Sequence, residues 1–188
     1  MRLFVALEPP ADVRDALAGW AQAAVGQDPE LRLVDSDALH LTLAFLGERP
    51  DTDAGALAPG LVRALARAAP PRDAHVLEPL WLAPRRPHVL TVGVADPSGA
   101  LAALQERVVA ACAGATDWEP ERRAFRPHVT VARVRRDARV RRDARVRPRE
   151  LPALPDAARA PWTTGGVTLL RSRTGEGGAQ YEALWGGG

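Results

Sequence analysis

The chain has 188 residues, of which 46% are hydrophobic and 26% charged, and its formal net charge is only +2. That is the composition of an ordinary globular protein, one domain or two small lobes sharing a core, without a large basic field. No run of eighteen apolar residues occurs, which excludes a membrane-spanning helix, and the lone Cys112 excludes an intrachain disulfide and any cysteine-based metal site.

The start, MRLFVALEPP, is too short and too soon broken by Glu8, Pro9 and Pro10 to be a secretory leader. It reads as a first strand, Arg2 to Leu7, and with the single cysteine it points to a cytoplasmic address. Pro10 to about Val25 has helical spacing, with Val13, Ala16, Leu17, Trp20, Ala21 and Ala24 as its apolar positions. LRLVDSDALH leads into a strand, HLTLAFLG, closed by Gly47 and Pro50. Asp53 to Ala68 reads as a second helix, which Pro59 and Gly60 are expected to break. HVLEPLWL and HVLTVGV are two more strands joined by the turn-like APRRP. Pro97 to Ala115 is a helix with Leu101, Leu104, Val108 and Ala111 on one stripe and Ser98 as N-cap. AFRPHVTVARV follows as a strand. GVTLLRSRT and AQYEALW form a last pair around RTGEGGA, and the final three glycines are expected to fray.

These elements predict an α+β protein with mostly antiparallel strands and helices on the outer faces. Helix, strand and further strands recur in two halves, which suggests a structural duplication with a cleft between them. VRRDAR occurs twice in tandem from Val134 to Arg145. It reads first as a local duplication in a surface loop and second as an arginine-rich lip that attracts polyanions. All 25 basic residues are Arg. Arginine grips phosphate with a fork of donors, although a GC-rich genome explains the bias first.

The informative pattern is a repeated one. His40 and Thr42 in HLTL, and His128 and Thr130 in HVTV, are polar pairs inside otherwise apolar strands. Side chains two apart on a strand share a face, so each pair is aimed at something. With four His and nine Thr in the chain, only about 0.2 such pairs are expected by chance. His75 and His88 open strands without this pattern and read as ordinary strand-end histidines. Thr91, three residues after His88, falls on the opposite face of a regular strand. No HExxH stands in the sequence, and no cluster of His and carboxylates surrounds either motif, so no metal site is expected. Cys112 reads as core.

Two histidines across one cleft suit in-line displacement at phosphorus. One, neutral, takes a proton from water; the other, protonated, gives one to the leaving oxygen. Two threonine hydroxyls can donate to the non-bridging oxygens where charge develops, and a nearby arginine adds charge-assisted bonds.

HLTL at His40, HVTV at His128, the RLFVAL opening and FRPHVTVAR together resemble the two-histidine phosphoesterase superfamily over nearly the whole chain. The nearest likeness is to the RNA 2′,3′-cyclic phosphodiesterases once called 2′-5′ RNA ligases. The resemblance implies a single domain over residues 1–188, built of two interleaved lobes whose antiparallel sheets face across a cleft. It implies hydrolysis of a terminal 2′,3′-cyclic phosphate to a 2′-phosphomonoester without metal or cofactor, and allows reverse ligation. It makes His40 the proton donor to the departing 3′ oxygen and His128 the acceptor that activates water. Thr42 and Thr130 bind phosphate. Arg133 matches an arginine often found there, although a regular strand would point it away from His128. The implied partner is RNA with a cyclic phosphate end, tRNA fragments or small nucleotides among the candidates, acted on by a monomer away from membranes. Phe45 and Phe125 flank the motifs as candidate base-stacking residues, with a core role favoured for Phe45. The competing reading is a catalytically silent RNA-binding module.

Overall fold

Five apolar side chains after Arg2 make β1 (Arg2–Leu7) a strand buried on both faces. The computed structural model describes residues 1–66, 68–82, 87–135, 150–175 and 178–187. Pro10, with its fixed φ, turns the chain into α1 (Ala11–Val25). Val13, Leu17, Trp20, Ala21 and Val25 are its buried stripe, and Ala16 and Ala24 lie half-buried at the margin. A short strand, β2 (Leu31–Leu33), and a 3-10 turn at Ser36–Ala38 precede β3 (Leu41–Glu48).

The second helix, α2 (Thr52–Leu65), runs unbroken through Pro59 and Gly60, contrary to the expected break. Proline in a helix crowds the carbonyl four residues back. That residue is Gly55, inside the same helix. Gly60 faces the third helix, α3 (Ala100–Ala115). A Cβ there would lie 3.4 Å from the Ala111 carbonyl oxygen and 3.6 Å from the Ala111 Cβ. A methyl group there would meet α3 at ordinary van der Waals contact, so a branched side chain has no room beyond it. Gly60→Val is expected to cost about 1–3 kcal/mol by overpacking, read as a lower urea midpoint with an unchanged slope. An unmoved midpoint would mean that this approach is not tight.

On α3 the buried residues are Leu101, Leu104, Val108 and Cys112. Burial pushes the Cys112 thiol up to about 12, as suits a core cysteine. Ser98 is not the cap. Gly99, with φ 75°, occupies that position, and the Asp96 carboxylate accepts from the Leu101 N–H and the Ser98 hydroxyl.

The remaining elements are β4 (His75–Leu82), β5 (Val89–Ala95), β6 (His128–Val134), a four-residue α4 (Asp156–Arg159), β7 (Val167–Gly175) and β8 (Gly178–Gly187). Gly186 and Gly187 pair with Thr168 and Val167, so their backbones are held in the sheet rather than frayed. The turn at residues 83–86, the tip of the β7–β8 hairpin, Gly188 and the VRRDAR duplication beyond Arg135 lie outside the described residues. Among the described residues no helix is long and apolar enough to cross a membrane.

The strands pair antiparallel throughout, in the order β4-β5-β6-β3-β1-β7-β8, with β2 also beside β6. The α+β class is as expected. The two half-sheets are hydrogen-bonded into one, joined at a single residue pair, Leu41 opposite Val129. One face carries the main core, to which Leu3, Val5 and Leu7 point. The helices interleave beneath it. α2 and α3 pack on each other, with α3 also on β3 and α2 on β8, while α1 packs on β2 and β6 and α4 on β4. The other face holds a small buried apolar cluster of Phe4, Ala6 and Leu170.

Candidate functional site

The junction between the half-sheets is where the two motifs meet. Continuing the antiparallel register one residue each way from Leu41–Val129 sets His40 across from Thr130 and Thr42 across from His128. Directly opposed residues share a face. Leu41 and Val129 are fully buried beneath, and His40, Thr42, His128 and Thr130 are half-buried on the other side. The two polar pairs are thus one constellation on the face away from the main core.

Each motif strand then carries an extra residue three positions after its histidine, and β3 carries a second, Leu46. On β3 the register jumps from Ala6–Thr42 to Val5–Ala44, leaving Leu43 as the insert. On β6 it jumps from Thr91–Thr130 to Leu90–Ala132, leaving Val131. A bulge turns one carbonyl out of the ladder. Here Gln105 Nε2 of α3 donates to the Leu43 carbonyl, at 3.3 Å, and the Val34 N–H donates to the Val131 carbonyl, at 2.9 Å.

The bulge settles where Arg133 points. One inserted residue reverses the alternation that follows it. Val131 and Ala132 are both buried and Arg133 is not. Arg133 therefore returns to the face of Thr130 and His128, and its positive charge is felt by His40. Phe45 is the counterpart on β3, five residues after its histidine as Arg133 is after His128. It pairs with Phe4, on the same face, and is 48% exposed. The core role favoured for Phe45 is thus overturned, for the same reason: the Leu43 insert turns it outward. Phe125 is half-buried against the main core.

The two histidines are held alike. His40 Nδ1 lies 2.8 Å from the Ala38 carbonyl oxygen and His128 Nδ1 lies 2.7 Å from that of Arg126, each two residues back. A carbonyl only accepts, so Nδ1 carries the proton in both rings and Nε2 is left to react. Their surroundings differ. His40 sits against the rings of Phe4, at 5.0 Å between centroids, and Tyr181, at 5.1 Å. Burial holds its pKa below 6.5, helped by the positive charges of Arg133 and His128, while the bond to Ala38 acts the other way. Opposite His128 on β5 stands Gly93, over which Leu77 folds.

Sequence reasoning missed Tyr181, Leu77 and Leu80. The two leucines are 48% and 45% exposed, and Leu80 pairs with Thr91 on the site face. Thr91 stands beside Thr130, on the site face with Val89 and Gly93 as the regular alternation of β5 requires, but it is fully buried and donates to the Leu80 carbonyl. His75 lies in another row, opposite Ala95. Among the described residues no three His, Cys, Asp or Glu side chains converge as a metal site needs.

An antiparallel α+β sheet that sets two His–Thr pairs side by side is the arrangement of a two-histidine phosphoesterase. Known proteins agree: the profile of the 2′-5′ RNA ligase superfamily matches residues 7–176, and the chain belongs to that family. It is 33% identical over 135 residues to the RNA 2′,3′-cyclic phosphodiesterase of Escherichia coli K12, covering 70% of this chain and 71% of that one. The crystal structure of TT0787 of Thermus thermophilus superposes with a TM-score of 0.79 at 30% identity, covering 99% of this chain and 96% of the other. That of E. coli LigT complexed with 3′-AMP gives 0.73 at 26% identity, over 98% and 95%.

Proposed function

We propose that this protein hydrolyses 2′,3′-cyclic phosphate ends of RNA to 2′-phosphomonoesters by paired histidine catalysis. The observation that carries the reading is the register at Leu41 and Val129, which gathers both His–Thr pairs, with each histidine tied through Nδ1 to a backbone carbonyl. The cyclic ester lies on this face with its phosphorus between the two imidazoles. His128 Nε2 takes a proton from water as the water oxygen bonds to phosphorus. The bond from phosphorus to the 3′ oxygen breaks, and that oxygen takes the proton from His40 Nε2. Ring strain supplies part of the driving force. Thr42 and Thr130 donate to the non-bridging oxygens, and Arg133 adds a charge-assisted bond. Phe45 offers an exposed ring on which the terminal base stacks. Ligation follows the same path with an RNA 5′-hydroxyl in place of water: its oxygen bonds to phosphorus, the 3′ oxygen leaves with the proton, and a 2′-5′ linkage forms.

His40 resists protonation in the free protein, chiefly because burial opposes its charge, with Arg133 and His128 acting in the same direction. A bound phosphodiester anion cancels part of that opposition and raises its proton affinity where the proton is needed. The reading is tested by the pH dependence of kcat/KM on an RNA with a cyclic phosphate end, in EDTA. A bell is expected, its two values belonging to the pair. Burial lowers the proton affinity of His40 in the free protein, so the lower limb is expected on the acid side of an ordinary imidazole whichever histidine is the acid. A flat profile from pH 5 to 9 with chemistry rate-limiting, or activity lost to EDTA and restored by a divalent ion, would contradict it.

A further inference from the structure

The two histidines share a motif, a bulge and a backbone tie, but only His40 has an aromatic wall. Phe4, His40 and Tyr181 form a triangle. Phe4 and His40 lie 5.0 Å apart at 37°, His40 and Tyr181 5.1 Å apart at 89°, and Phe4 and Tyr181 5.1 Å apart at 73°. Phe4 is nearly fully buried in the small cluster on the site face, and Tyr181 packs onto that cluster from β8. Among the described residues no ring lies against His128. Tyr181 is the one tyrosine of the chain. It stands on the outermost strand, opposite Ser172, and reaches His40 from there.

One hydrogen bond from Nδ1 leaves an imidazole free to rock about it. A ring beneath and a second at right angles remove that freedom and favour the contact geometrically. We propose that Tyr181 is a positioning residue for His40, holding the imidazole against Phe4 so that Nδ1 stays on the Ala38 carbonyl and Nε2 stays presented to substrate. This rests on the acid–base reading of His40 given above. The same wall keeps water from the ring, in keeping with a proton affinity depressed first by burial. The charged groups that act on His40 are Arg133 and His128 of β6. From β8 the facing titratable group is the Tyr181 hydroxyl, and from β1 it is none, since Phe4 carries no charge. The Arg2–Glu48 pair lies farther along the face.

The test compares Tyr181→Phe, Tyr181→Leu and Tyr181→Ala in the full chain. The readouts are the NMR titration of the His40 ring without substrate and the pH profile of turnover. Tyr181→Phe keeps the ring and is expected to match the parent in both. Tyr181→Ala opens His40 to water. Its titration midpoint should rise by about half a unit or more, at least one limb of the pH–rate profile should move to higher pH, and kcat should fall about tenfold with little change in KM. Tyr181→Leu fills the space without an aromatic edge and should fall between, which keeps the comparison readable if the alanine variant is unstable. Unmoved His40 midpoints in the leucine and alanine variants would overturn the proposal. So would a loss in Tyr181→Phe as large as in Tyr181→Ala, which would place the hydroxyl on substrate. If the midpoint moves but the parent turns over no cyclic phosphate, the positioning stands and the proposed function fails.

Discussion

Alanine in place of His128 is expected to lower kcat on a cyclic-phosphate-ended RNA by about 10²- to 10⁴-fold, and alanine in place of His40 by a similar factor. A loss of 10³ corresponds to roughly 4 kcal/mol of transition-state stabilisation. The argument is one of geometry. Each imidazole is fixed by Nδ1 to a carbonyl two residues back, and neither β3 nor β6 carries a further histidine to take its place. In the proposed mechanism Thr42, Thr130 and Arg133 grip the anion, so RNA affinity should change little. Removing both histidines should cost much less than the product of the single losses, since each acts on the same displacement. A loss below tenfold in either variant, with stability unchanged, would mean that the proton moves by another route. Equal loss of binding, with no turnover in the parent, would favour the RNA-binding module.

The second large effect belongs to the threonines. Thr42→Val and Thr130→Val keep the branched shape and remove the hydroxyl donor, so packing on β3 and β6 should survive. Each is expected to lower kcat by about 10²-fold, the usual loss for one donor aimed at a developing negative oxygen. Serine at either position should restore most of the activity. A change in KM alone would instead make the hydroxyls ground-state grips. The steady-state constants of the four variants decide between these outcomes.

Much of this site is legible in the sequence because strand periodicity is simple. Two apart means one face, and that rule found both His–Thr pairs. It failed three residues after each histidine. Leu43 and Val131 look like any apolar strand residue, yet each is an insert that reverses the alternation. Arg133 therefore lies on the site face and Phe45 points out of the core, neither of which a regular strand allows. Tyr181 is separated from His40 by most of the chain, and AQYEALW carries no sign of which residue it will meet. α2 runs on through Pro59 and Gly60, although a proline inside a helical pattern reads as a breaker. The link between the half-sheets at Leu41 and Val129 is a single pair, too slight to leave a pattern in either strand.

The most direct test is the product of one reaction. A short RNA ending in a 2′,3′-cyclic phosphate is incubated with the protein in EDTA, and the product is resolved as a 2′- or a 3′-phosphate. With His40 giving its proton to the departing 3′ oxygen, the product is the 2′-phosphomonoester, and the His128→Ala variant makes almost none. An RNA end that stays cyclic under conditions where the folded protein binds it would contradict the account.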